Sequence, residues 1–96
     1  MIYGYTRDTG SLVAVANHVG IRAAMEARGC VEVFVEEGVT ASEMPGPSFR
    51  QLVDKVQRGD RVLLPDPTRL TRDPARLDFI VSTLHDLGVH VEYLDS

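Results

Sequence analysis

Two short segments carry the residues that could do chemistry. The first, Gly4-Tyr5-Thr6-Arg7-Asp8-Thr9-Gly10-Ser11, puts a cation and hydroxyls between an apolar run and a segment patterned like a helix. A helix start offers unpaired N–H groups and the positive end of its dipole, so hydroxyls and an arginine beside it suit an anion. The second, Thr68-Arg69-Leu70-Thr71-Arg72-Asp73, holds Arg69 and Arg72 three apart. In a turn or a helix start that spacing lets both guanidiniums face one side. Arginine's planar fork of donors matches phosphate, so Arg7, Arg69 and Arg72 at one crevice would bind a phosphate group. The competing reading of the same spacing is surface ion pairs with Asp8, Asp66 or Asp73, which contribute little. No Lys-Ser/Thr pair follows the glycine, so a nucleotide P-loop is a poor match. Arg7 stands where a phosphorelay receiver would cluster acidic residues, which removes that class as well.

The elements that must position these residues follow from regular punctuation. Met1 to Tyr5 reads as a strand, and Leu12, Val15, Ala16, Val19, Ala23 and Ala27 form one face of a helix that Gly29 ends. Val31 to Val35 is a second strand, with Glu36-Glu37-Gly38 as its exit. Residues 38–47, with glycines and prolines, are expected to form a mobile loop. Ser48 is expected to cap a helix carrying Phe49, Leu52, Val53 and Val56 and stopping at Gly59. Arg61 to Leu64 is a third strand, closed by Pro65 and Pro67. Asp73-Pro74 opens a helix with the buried stripe Leu77, Ile80, Val81, Leu84 and Leu87, and Val89 to Leu94 is a fourth strand. Alternating strands and helices predict an α/β fold, a three-layer doubly wound sheet of four mainly parallel strands with helices on both faces. Such sheets place their functional crevice beyond the carboxyl ends of the strands, and Thr6–Ser11, Glu36–Pro47 and Pro65–Arg72 are delivered there.

Composition bounds the function. The chain has 96 residues, enough for one domain, and at 44% apolar and 25% charged it is ordinary globular material. A net charge of −4 argues against a self-sufficient nucleic-acid binder, though a local basic site within an acidic domain is compatible with it. The single cysteine, Cys30, reads as a small hydrophobe past a helix and allows neither an intramolecular disulfide nor a cysteine-built zinc site. No metal and no cofactor are expected. There is no segment of membrane-span length and no signal peptide pattern, so a soluble, cytoplasmic protein is expected, with no membrane partner.

Taken together, the motifs resemble a known family. Tyr5-Thr6-Arg7-Asp8-Thr9 is similar to the opening Tyr-x-Arg-Val-Ser of the serine recombinases, the resolvase/invertase family. Glu36-Glu37-Gly38-Val39-Thr40-Ala41 resembles the family's Asp-Glu-Gly-Val-Ser-Gly loop, and Gly59-Asp60-Arg61-Val62-Leu63-Leu64 through Thr68-Arg69-Leu70-Thr71-Arg72-Asp73 resembles its Gly-Asp-x-Leu…Asp-Arg-Leu-Ser-Arg-Asp signature. The closing Leu-Gly-Val-His-Val-Glu-Tyr-Leu fits the strand that follows.

That resemblance implies a domain for site-specific DNA recombination, in which a hydroxyl attacks a DNA phosphodiester, forms a covalent link and allows strand exchange. It places Arg7, Arg69 and Arg72 as the phosphate clamp. Thr9 stands at the nucleophile position, with Ser11, which also reads as an N-cap, and Thr40 as further phosphate-binding hydroxyls. Threonine's β-methyl stiffens χ1 and crowds an in-line attack, so impaired catalysis is expected. Thr68 replaces the aspartate before Arg-Leu, and Met44-Pro45-Gly46 lacks the family's middle-loop arginine. Residues 1–96 would be the catalytic-type domain, without the family's dimerisation helix or DNA-binding domain. DNA is then a partner held weakly by this domain alone, and a homo-oligomer or another recombinase is the implied protein partner. Two alternatives remain: a catalytically dead relative acting as a protein-interaction or regulatory module, and a crevice for a small phosphate-containing ligand.

Overall fold

Residues 1–8, 12–37, 43–65, 70–71 and 73–94 are described by a computed structural model, without the side chains of Asp8 and 12–19. The elements run β1 (Ile2–Asp8), α1 (Leu12–Ala27), β2 (Glu32–Glu37), α2 (Pro47–Lys55), β3 (Arg61–Leu64), α3 (Pro74–Asp86) and β4 (His90–Tyr93). The strands form one sheet in the order β2-β1-β3-β4, and every pairing is parallel. Parallel neighbours need crossovers, and the three helices supply them. This is the expected α/β architecture, all parallel rather than mainly so among the described residues.

Strand register divides the core between two faces. Tyr3, Tyr5 and Arg7 pair with Glu32, Phe34 and Glu36 on β2, and Tyr3 pairs with Val62 on β3. Side chains alternate along a strand, so Tyr3, Tyr5, Phe34, Val62 and Leu64 share one face. There they meet Phe49 and Leu52 of α2 and Ile80 and Leu84 of α3 in one buried cluster. The opposite face carries Gly4, over which α1 lies. A Cβ on Gly4 would stand 2.7 Å from the Met25 sulfur and 3.2 Å from Val33 Cγ2, so α1 comes this close to the sheet because residue 4 has no side chain.

Helix ends follow local chemistry. Asp73 accepts a hydrogen bond from the Ala75 N–H at 3.0 Å, and Pro74 occupies the first turn, where its missing N–H costs nothing. Gly29 (φ +98°) and Gly88 (φ +78°) take the left-handed conformation that ends α1 and α3. Cys30, half-buried behind α1, has its thiol pushed up by burial. No helix among the described residues is long and apolar enough to cross a membrane.

Several details differ from the sequence reading, and among them β2 runs Glu32–Glu37 rather than Val31 to Val35, because Glu36 and Glu37 still pair with Arg7 and Asp8 of β1. β1 runs on through Asp8, because Arg7 and Asp8 still have β2 beside them to pair with. α2 ends at Lys55, not near Gly59, because Val56 turns to extended backbone (ψ 149°). Leu87 lies outside the buried stripe, 38% exposed at the end of α3, where the chain has left the helix that would have carried it inward.

Substituting Gly4 with valine forces branched carbon into the α1–β1 contact. Urea unfolding should show a loss of about 1–3 kcal/mol, the usual cost of overpacking. Alanine at exposed Gly20 within α1 should instead gain about 0.5–1 kcal/mol.

Candidate functional site

Because all strands run the same way, β1, β2 and β3 end at one edge of the sheet. Arg7, near the end of β1, is half-buried, and its Nε donates to the Leu70 carbonyl at 2.9 Å. Leu70 is fully buried and Thr71 nearly so. Thr71 Oγ1 accepts from the Asp73 N–H at 3.2 Å, which leads directly into the cap of α3. Arg7 is thereby tied to the segment whose sequence carries Arg69 and Arg72. Positions 69 and 72 themselves, together with Thr9, Ser11 and Thr40, lie outside the described residues. Of the expected ion-pair partners, Asp73 faces Arg76 (Nε to Oδ2, 3.5 Å).

The most heavily engaged group at this edge is one that sequence reading took for the exit of a strand. Glu36 is the next-to-last residue of β2 and is fully buried. Its Oε2 accepts from the Tyr5 hydroxyl at 2.6 Å, the Gly46 N–H at 2.7 Å and the Phe49 N–H at 3.1 Å. Its Oε1 accepts from the Ser48 N–H at 2.9 Å. The first N–H groups of a helix have no partner within the helix, and its N-terminus carries partial positive charge. A carboxylate from the neighbouring strand meets both needs of α2.

This corrects the expected cap. The residue before α2 is Gly46, which has no side chain to offer, and Ser48 sits inside the first turn. The Ser48 hydroxyl donates instead to the Val35 carbonyl at 2.6 Å, so it fastens the helix to β2 from the other side of the junction. Gly46 is required by space: a Cβ there would lie 2.9 Å from Glu36 Oε1. The Tyr5 phenol is pushed far up by burial, by its hydrogen bond to Glu36 and by the carboxylate's charge, and stays protonated.

The loop before α2 was expected to be mobile along its whole length. Its last part is anchored: Met44 is fully buried, and Arg76 Nη1 of α3 donates to the Met44 carbonyl at 2.8 Å. Residues 38–42 lie outside the described residues. Contacts among β1, β2, α2 and α3 thus converge on this edge, with Arg7 and Arg76 among its described cations. On the other face of β1, Thr6 is fully buried and its hydroxyl has no hydrogen-bond partner among the described residues. No group of three or more His, Cys, Asp or Glu among the described residues could hold a metal ion.

One signal in the sequence could have exposed Glu36. Phe34 and Glu36 are two apart on a strand and so share the inward face, and Gly46-Pro47 opens a helix without a capping side chain. An inward carboxylate and an uncapped helix are complementary demands.

Residues 12–96 match the resolvase N-terminal domain model, and the chain belongs to that family. Its fold is shared with a crystal structure described as the first ORF in transposon ISC1904 from Sulfolobus solfataricus P2, at a TM-score of 0.67 and 18% identity, covering 97% of this chain and 66% of that one. It is shared too with the C-terminal catalytic domain of ISC1926 TnpA, described as an IS607-like serine recombinase, at a TM-score of 0.67 and 19% identity, covering 99% of this chain and 70% of that one. The chain thus spans about two thirds of the length of these structures. No curated protein sequence matches it. This is a recombination-related domain of the resolvase class.

The Glu36 network predicts a graded series in urea unfolding. Tyr5→Phe removes one donor and should cost about 1–2 kcal/mol, whereas Glu36→Ala strands buried N–H groups at about 1–3 kcal/mol each and should cost at least about 3 kcal/mol. Alkaline titration supplies a second check. Above pH 10, the ordinary tyrosine value, Tyr5 ionises in the unfolded chain but stays protonated in the folded one. The folded state then binds more protons, so stability falls as pH rises past that point, and Tyr5→Phe should flatten the fall.

Proposed function

We propose that this domain acts on the phosphodiester backbone of DNA in site-specific recombination, with Arg7, Arg69 and Arg72 as its phosphate clamp and with catalysis impaired by Thr9. The observation that carries the reading is the bond from Arg7 Nε to the Leu70 carbonyl. It joins the first arginine to the segment that holds the other two in sequence, as a shared phosphate site requires.

In this reading the Thr9 hydroxyl oxygen attacks phosphorus and a sugar oxygen leaves, taking up a proton. The arginines stabilise the charge on the non-bridging oxygens, and reversal of the step rejoins the strand. Ser11 and Thr40 add hydroxyl donors to the phosphate. Weak chemistry is supported on two counts. Threonine restricts the approach of its own oxygen. Met44 stands where the resemblance places an arginine, and its side chain is buried in the core, so this position adds no charge to the edge. With a net charge of −4, the domain's own hold on DNA is weak, and its affinity falls steeply with salt.

The test is covalent adduct formation on a pool of nicked DNA duplexes, read by denaturing gel. Thr9→Ser should raise adduct yield at least about tenfold, and Arg7→Ala in that background should lower it about a hundredfold, the usual effect of removing a transition-state donor. Absence of any adduct from Thr9→Ser would sink the catalytic reading and favour a protein-interaction module on the same fold.

A further inference from the structure

Arg76 stands in the first turn of α3, three residues after the cap Asp73, and its guanidinium is held at two points. Nη1 donates to the Met44 carbonyl at 2.8 Å, and Nε lies 3.5 Å from Asp73 Oδ2. The other Asp73 oxygen, Oδ1, accepts from the Ala75 N–H. One carboxylate thus caps α3 with one oxygen and holds the guanidinium with the other. Each anchor continues inward. On one side the Asp73 N–H donates to Thr71 Oγ1, and the neighbouring Leu70 carbonyl accepts from Arg7 Nε. On the other side the Met44 sulfur lies 4.0 Å from the Tyr5 hydroxyl, in reach of a weak hydrogen bond. Tyr5 and Arg7 are two apart on β1 and share a face. These contacts close a ring, from Arg7 through Leu70, Thr71 and Asp73 to Arg76, across to Met44 and back to β1 at Tyr5. Arg76 spans the gap between segments 32 residues apart in the chain.

We propose that Arg76 is a positioning residue for phosphoryl transfer at this edge, holding the segment that follows Thr40 in the chain against the segment that carries Arg69 and Arg72. The role rests on the phosphoryl-transfer reading of those residues and adds to it the group that sets their spacing. The cap of α3 comes from Asp73, and Met44 has its side chain in the core, so what Arg76 adds is the link between them. Walls of a site that come from different loops keep their spacing only where something spans them. A displacement of about 1 Å can cost about a hundredfold in rate. Arginine suits this task better than lysine. Its planar fork fixes the directions of Nε and Nη1 toward acceptors on two segments, whereas an ammonium is a single point of charge. The Arg76 side chain is 42% exposed, and its pairing with half-exposed Asp73 is a surface contact that contributes little stability. Its effect is on geometry.

The test uses the chain with Thr9→Ser and follows single-turnover adduct formation on nicked DNA duplexes at low salt, over a range of DNA concentrations. Arg76→Met keeps the apolar stem and removes the donors. It should lower the limiting rate at least about tenfold while the half-saturating DNA concentration stays within about twofold. A direct phosphate contact would instead weaken binding and lower the salt slope by about one, and that result overturns the positioning role. Arg76→Lys, which keeps the charge and a donor, should recover part of the rate. Hydrogen exchange without DNA gives a measurement independent of the chemistry. Arg76→Met should speed exchange at the Gly46 N–H at least about tenfold and leave the Val62 N–H of β3 unchanged. Unchanged exchange at Gly46, or an unchanged limiting rate, overturns the inference while the phosphoryl-transfer reading stands. Failure of Thr9→Ser itself to form an adduct is a different result, which sinks that reading and takes the role in transfer with it.

Discussion

A buried carboxylate on β2 satisfies the N-terminus of α2, and the carboxyl edge of the domain depends on that contact. Among the described residues, a phenol and backbone N–H groups supply the donors to Glu36. Burying an ion is costly unless its lone pairs are filled, and four hydrogen bonds together with the helix dipole fill them here. The arrangement sets where α2 begins, how close Gly46 stands to β2 and which way Tyr5 points. Tyr5 in turn packs its ring against Phe49 at 5.4 Å, so the polar lock and the apolar core share the same side chain.

From this lock the rest of the edge is held by single bonds between neighbouring elements. Arg7 reaches Leu70, and Arg76 reaches Met44. Each joins a charged side chain to a backbone carbonyl of another segment, so loops far apart in sequence are held in one place by the elements they leave. A site for a phosphate needs this more than it needs any one residue, because donors that are already oriented need no reorganisation when charge develops on the ligand. The local structure accounts for how Arg7 is held.

The substitutions around that site are consistent with one another in physical terms. In the proposed reading the β-branched Thr9 stands at the nucleophile position, and Met44, which is buried, stands where the resemblance places an arginine. On the same reading the fold persists while the balance between binding a phosphate and transferring it shifts toward binding.

Sequence alone settled the order of elements, the family and the helix ends at Asp73-Pro74, Gly29 and Gly88, because periodicity, caps and glycine conformations are local properties. It also brought Arg7 and the Leu70 segment to the same edge, since a parallel sheet sends all its strand ends one way. It did not show that β1 continues through Asp8, for that rests on pairing with β2 across more than twenty residues of chain. Ser48 looked like a cap by its type and position, yet the cap came from Glu36, twelve residues away. The buried state of that carboxylate depends on donors from Tyr5, Gly46, Ser48 and Phe49 arriving together. Only the tertiary structure decides such a case, because a charge is stable inside a protein only when the folded chain has assembled its partners around it.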